Sequence, residues 1–312
     1  MSARKPLPYV LARGAFATST AADFGVSRGR MRAADMSIPF RGVRSTGVDP
    51  DSLVERSRAA AVFMSDDEAF CHSTALALWA APLPYALEHA PSALHIGTRG
   101  TTRRRRAGVI GHRLPADTSM CLSPDGVRTV LPATAWCQLA SQRDERTDRE
   151  MVVALVSAAD FLLTGRRRRG GREPAVCRAS DLHRAVAAHG SGRGARALAE
   201  AVALARSGVD SPKETELRLM LRDAGLRDPV IGHVIRTRIG PLEPDLAYPH
   251  RLVLLEYEGD VHRENRRRWR GDFEHVRAFQ QAGWTVIRVN ADDLSDVSRR
   301  AALVAHLRAL LT

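Results

Sequence analysis

Four residues that could act on one substrate fall in a short stretch of the chain: Asp245, Glu256, Glu258 and His262. Residues 252–255 are an apolar run with the length of a buried strand, and the run ends in Glu256, Tyr257 and Glu258. Side chains alternate along a strand, so Glu256 and Glu258 share a face. Asp245 lies on the preceding extended segment, across a turn marked by Pro249. Carboxylates gathered at the end of a buried strand repel one another and lose hydration. A hard divalent cation, Mg²⁺ or Mn²⁺, relieves both costs by taking oxygen ligands and keeping several waters. The alternative is that the acids are solvated salt-bridge partners of the abundant arginines. Gly259 allows a turn that would bring His262 back towards the acids.

The surrounding pattern predicts the elements that must position them. Ser211, Pro212 and Glu214 form a helix start, with Ser as N-cap, Pro in the first turn and Glu completing a capping box. The helix runs through Leu217, Leu221 and Ala224 and stops at Gly225. Extended segments are expected over residues 230–237, 244–248 and 252–257. A second helix carries Trp269, Phe273, Val276 and Phe279 on one stripe and ends at Gly283. A strand over residues 285–289 and one amphipathic helix to Leu311 complete an α-β-β-β-α-β-α order, a mixed sheet covered by helices.

Asp, then Glu-x-Glu-Gly-x-x-His, an Arg-rich helix and Gly283-Trp284-Thr285-Val286-Ile287-Arg288-Val289 resemble the very-short-patch-repair-like endonucleases of the PD-(D/E)XK superfamily. The resemblance covers the chain from about Ser211 to its end. It implies a restriction-endonuclease-like fold and Mg²⁺- or Mn²⁺-dependent hydrolysis of phosphodiester bonds in DNA, in repair or defence. Asp245 and Glu256 would be the metal-binding acids, with Glu216 of the first helix as a third. Glu258 stands where the superfamily expects Lys, and the only lysines are Lys5 and Lys213. His262 would then handle the proton or polarise the phosphate. Glu216 has a second reading, as an i,i+3 or i,i+4 partner of a neighbouring cation.

The net charge of +12 is unevenly spread: residues from Pro212 onward carry +2 and the first 211 carry +10. Such an excess favours nucleic acid through counterion release, or serves solubility alone. Residues 19–24, Gly25 and the Ser- and Arg-rich segment 27–34 read as helix-turn-helix, with Phe16, Ala21, Phe24, Val26 and Met31 as its small core. Ser27, Arg28, Arg30 and Arg32 would face DNA, and residues 40–44 would form a wing. With His72-Ser73-Thr74-Ala75-Leu76, Gly111-His112-Arg113 and Pro132-Ala133-Thr134-Ala135-Trp136, this stretch resembles the AbiEi-type antitoxins of type IV toxin–antitoxin systems. That resemblance implies a cognate toxin as a further partner. It also implies an alternative function, a DNA-binding regulator or antitoxin whose nuclease fold is inactive.

The expected class is thus α/β (α+β) and multidomain: a winged helix over residues 1–60, an α+β middle domain over 61–165, a linker and Ala-rich hinge over 166–208, and the nuclease-like domain over 209–312. Arginine runs at 103–106 and 166–169 are expected in a loop and in the linker, largely solvated. Cys71, Cys121, Cys137 and Cys177 show no zinc spacing and read as reduced thiols of a cytoplasmic protein. The separations of His72, His95 and His112 read as capping or core histidines. No apolar run approaches the ~20 residues of a membrane span, and no secretory leader is recognisable.

Overall fold

The computed structural model describes residues 5–12, 14–84, 87, 93–142, 147–168, 171–259 and 266–312, the last stretch with side chains from Phe273 onward. The protein is mixed α/β and divides into two compact units that interleave along the chain. Unit 1 comprises residues 1–145 and 180–195; unit 2 comprises residues 146–179 and 196–312. The expected boundaries near 165 and 208 do not coincide with this division. Residues 146–164, read as the end of a middle domain, belong with the C-terminal residues, and the hinge is split between the units.

Unit 1 begins with β1 (Ala15–Ala17), paired antiparallel with β2 (Val43–Ser45) and followed by helix α1 (Thr18–Asp23). The expected second helix over 27–34 is not formed. A single 3-10 turn, Arg30–Arg32, stands in its place. Gly29 inside the segment disfavours helix by about 1 kcal/mol relative to Ala. Arg30 is also pulled into a two-pronged pair with Asp35, at 2.9 Å for both bonds, and donates to the Lys5 carbonyl. Phe16, Ala21 and Met31 are buried with Leu11 in a small cluster, as expected for three of them, but Phe24 is exposed.

Helix α2 (Leu53–Ala61) precedes a five-stranded sheet in the order β5-β4-β3-β7-β6. Its strands are β3 (Glu68–Phe70), β4 (Leu94–Arg99), β5 (Val109–Leu114), β6 (Met120–Leu122) and β7 (Arg128–Val130). Pairing is parallel for β4–β5 and β3–β7 and antiparallel for β3–β4 and β6–β7. Helices α3 (His72–Leu78) and α4 (Pro132–Leu139) follow β3 and β7 directly, and their apolar residues, with Trp136 fully enclosed, build much of the core. The 103–106 arginine run lies between β4 and β5 as expected, but two of its members are structural. Arg104 pairs with the buried Glu68, and Arg106 stacks over Phe63.

In unit 2, helix α5 (Asp148–Thr164) is opened by a full capping box between Thr147 and Glu150. The second arginine run forms a small hairpin, β8 (Arg167–Arg168) with β9 (Gly171–Arg172), where Arg167 and Arg172 both pair with Asp210. Helix α6 (Ala179–His189) lies almost wholly in unit 1; α7 (Ala195–Leu204) and α8 (Pro212–Asp223) lie in unit 2. Of residues 230–237, expected as one strand, only β10 (Ile235–Thr237) is strand; it turns back as a hairpin into β11 (Gly240–Leu242), and Val230 makes an isolated bridge to Ala247. The main sheet is β12 (Leu246–Tyr248), antiparallel to β13 (Val253–Glu258), which is parallel to β14 (Thr285–Asn290). Helix α9 (Arg266–Gln281) connects the parallel pair. The expected single last helix is two: α10 (Ala291–Ser295) ends at Asp296, which caps α11 (Val297–Leu311) by accepting from the Arg299 amide.

The alternation of this sheet decides what each face can hold. Leu246, Tyr248, Val253, Leu255 and Val289 pack with Leu217 and Leu221 of α8 and with Leu294 and Leu307. Ala247 and Leu254 pack on the other side with Phe279 and Trp284. Among the described residues, no helix is long and apolar enough to cross a membrane.

Candidate functional site

Asp245 stands one residue before β12, just beyond the Leu246–Leu255 pair of the ladder. Its Oδ2 accepts from the Tyr257 amide at 2.7 Å, so the side chain takes over where strand pairing ends and is held beside Glu256. Glu256 and Glu258 extend from the same side of β13 as Leu254, the side facing Phe279 and Trp284. The shared face expected from alternation is therefore present. Glu256 is half-buried and pairs in register with Arg288 of β14. The carboxylate of Glu258 forms an ion pair with the same Arg288, on the adjacent diagonal. An arginine already neutralises Glu258, which makes it the weakest ligand candidate of the three. His262 lies outside the described residues.

The helix acid beside this group is Glu214. Ser211 caps α8 as expected, accepting from the Glu214 amide at 3.2 Å, but the Glu214 carboxylate accepts from the Asp210 amide instead of closing the box on Ser211. Burial pushes the Glu214 carboxyl up to about 8, and the nearby Asp245 charge adds to the rise. Glu216 instead forms an exposed i,i+3 pair with Lys213 at 2.6 Å, the solvent-side role weighed for it in the sequence. A helical register carried the missed signal. Residues 214, 217 and 221 lie on one stripe, and Leu217 and Leu221 face the sheet, so Glu214 does too; Glu216 is about 200° away around the helix.

Oxygen donors come from three elements: Glu256 on the Leu254 face of β13, Glu214 on α8, which packs against the opposite face, and Asp245 at the strand end, bonded to the Tyr257 amide and acting on Glu214. The set fits a hard divalent cation in donor type. Among the described residues, these acids do not close to a set whose ligand atoms all lie within 4.8 Å of one another. Mg²⁺ tolerates such spacing because it keeps several waters and takes only one or two carboxylates directly.

The proposed DNA-reading residues are dispersed. Arg28 and Arg32 are exposed, Ser27 accepts from the Arg30 amide at 3.2 Å, and Arg30 is spent on Asp35. The histidines read as separate core or capping residues are indeed buried or half-buried, but the fold also brings them together. Cys71, His72 and His112 place one ligand atom each within 4.8 Å of one another and could hold a metal ion. Nothing in their sequence spacing gives this away, since β5 arrives beside α3 only through sheet pairing.

No protein-family model matches the chain, and no solved structure matches it. Two relatives are uncharacterized proteins, MT2308 and Rv2248, from the CDC 1551 / Oshkosh and ATCC 25618 / H37Rv strains of Mycobacterium tuberculosis. Each is 26% identical over 260 residues, spanning 83% of this chain and 87% of the relative.

Proposed function

We propose that unit 2 is a Mg²⁺- or Mn²⁺-dependent endonuclease acting on DNA. The observation that carries the reading is the position of Asp245 at the end of β12, bonded to the Tyr257 amide next to Glu256 and acting, with burial, to keep Glu214 from ionising. A bound divalent cation would polarise a phosphate oxygen and lower the pKa of an attacking water. Asp245 and Glu256 would hold the ion, Glu214 would lose its proton on ion binding, and Arg288 would keep Glu258 turned aside. His262 is the proposed proton-transfer group, as the resemblance to very-short-patch-repair-like enzymes implies.

The pairing of Glu258 with Arg288 favours a second reading, in which the fold is retained as the scaffold of a DNA-binding regulator or antitoxin with a cognate toxin. One experiment separates the two: purified protein is incubated with plasmid, linear, mismatched and single-stranded DNA, with Mg²⁺, Mn²⁺ or EDTA. The expected result is metal-dependent cleavage, abolished in Asp245→Asn and in Glu256→Gln, each of which removes a ligand charge with little change in volume. Cleavage by both variants at the wild-type rate places the chemistry elsewhere; no cleavage of any substrate by the wild type leaves the scaffold reading.

A further inference from the structure

We infer that unit 1 holds a zinc ion on Cys71, His72 and His112, in a site separate from the acids of unit 2. Three elements meet there. Cys71 follows β3 and is fully buried, His72 opens α3, and His112 projects from β5, an edge strand of the sheet. Cys71 Sγ lies 3.2 Å from His72 Nδ1, and the His72 and His112 rings stack with centroids 3.8 Å apart. Thiolate and imidazole together suit zinc and not Mg²⁺ or Mn²⁺. Three protein ligands leave one tetrahedral position for water, as in zinc sites that keep an open position.

Two further observations point to an ion. His72 adopts a left-handed backbone (φ 53°), unfavourable for a residue with a Cβ by on the order of 1–3 kcal/mol, and it does so where its ring is turned beside Cys71. A chain of hydrogen bonds then supports His112 from behind. His95 Nδ1 lies 2.8 Å from His112 Nε2, and His95 Nε2 lies 3.1 Å from the side-chain amide of Gln142, which also reaches Ser73 Oγ at 3.2 Å. Exchanging the Gln142 amide O and N lets Oε1 accept from His95 Nε2–H. His95 Nδ1 then accepts from His112 Nε2–H, and the lone pair of His112 falls on Nδ1, free for the ion. A ring nitrogen donating to a second polar group is the usual support of a metal-ligating histidine. Zinc binding would displace the Cys71 proton, since a ligating cysteine binds as thiolate.

The test uses the full chain, stripped with a chelator, free of any affinity tag, and titrated with Co²⁺. The expected result is one Co²⁺ per chain with the strong visible bands of a tetrahedral site and a thiolate-to-cobalt charge-transfer band, bleached by Zn²⁺; Co²⁺ held by the oxygen donors of unit 2 is six-coordinate and adds only weak bands. Cys71→Ser should lose the charge-transfer band, and His95→Gln should weaken binding roughly 10–100-fold with the band shape kept. A Cys121→Ser, Cys177→Ser variant, with Cys71 retained, should keep every band and guards against a Cys71→Ser chain that does not fold. The charge-transfer band reports only the thiolate site, so this outcome is independent of whether unit 2 cuts DNA. A wild type without tetrahedral bands, or a charge-transfer band undiminished in folded Cys71→Ser, overturns the inference.

Discussion

Glu214 shows what one position on a helix decides. Its carboxyl, ordinarily near 4.5, is pushed to about 8 by burial and by Asp245, so across that window the folded chain holds a proton that the unfolded chain has released. Stability contributed by the protonated form is complete below about 4.5 and is lost as pH rises through about 8. Glu214→Gln is neutral at every pH and removes this dependence. Thermal melts between these pH values should therefore fall more steeply for the wild type than for the variant, and Mg²⁺ should raise the wild-type melting point more than the variant's. Parallel melting curves with equal Mg²⁺ responses would dismiss Glu214 as a ligand. Glu216→Gln should change little, since exposed pairs such as Glu216 with Lys213 contribute about 0–1 kcal/mol. Alternation along one strand was enough to put Glu256 and Glu258 on a common face. The choice between Glu214 and Glu216 needed the helix phase, which Leu217 and Leu221 supply. The gathering of Cys71, His72 and His112 depends on pairing between segments distant in sequence and could not be read locally.

At the scale of elements, periodicity and capping residues placed α8, β12, β13, β14 and α11 close to where they form, because each carries its own apolar stripe and stop. What holds α8 in place was not legible. Asp160 of α5 is buried, its Oδ2 accepting from Thr215 Oγ1 at 2.8 Å and from Arg218 at 2.9 Å, both on α8; its Oδ1 accepts from the Arg206 amide at 2.6 Å. Burial raises the Asp160 carboxyl above its ordinary value although Arg218 and the hydrogen bonds oppose the rise. Such a pair adds little over an apolar replacement but is costly to break from one side. Arg218→Ala should destabilise unit 2 by about 3–5 kcal/mol, while Asp160→Leu with Arg218→Met should cost much less. Chemical denaturation of both variants measures the difference, and an Arg218→Ala chain as stable as the wild type would exclude the pair as the tie between α5 and α8. The failed second helix near the N-terminus has the opposite cause. Its Arg and Ser content suited a recognition helix, but Gly29 and the Asp35 pairing of Arg30 favoured a single turn.

For the whole molecule, the interleaving of the units changes what the charge means. Read along the sequence, the excess is concentrated in the first 211 residues, +10 of the +12; apportioned to the units, it is +6 in each. Part of it is already committed inside the fold, as in Arg104 with Glu68 and Arg167 with Asp210. A chain beginning at Val209 lacks α5 and with it Asp160, so it should not fold cooperatively. A chain of residues 146–312 retains both halves of unit 2 and should fold. If positive charge drives DNA affinity, removing residues 1–145 should weaken binding to duplex DNA without abolishing it, because half of the excess remains. Affinity of the full chain should fall steeply between about 50 and 200 mM salt through loss of counterion release, and the shorter chain should show a shallower slope of log affinity against log salt. Fluorescence anisotropy with a labelled duplex measures both slopes. Equal slopes would mean that unit 1 contributes no phosphate contacts, and the DNA-reading role of Arg28 and Arg32 would then fall. A folded 146–312 chain that fails to bind even at the lowest salt would instead return the whole interaction to unit 1.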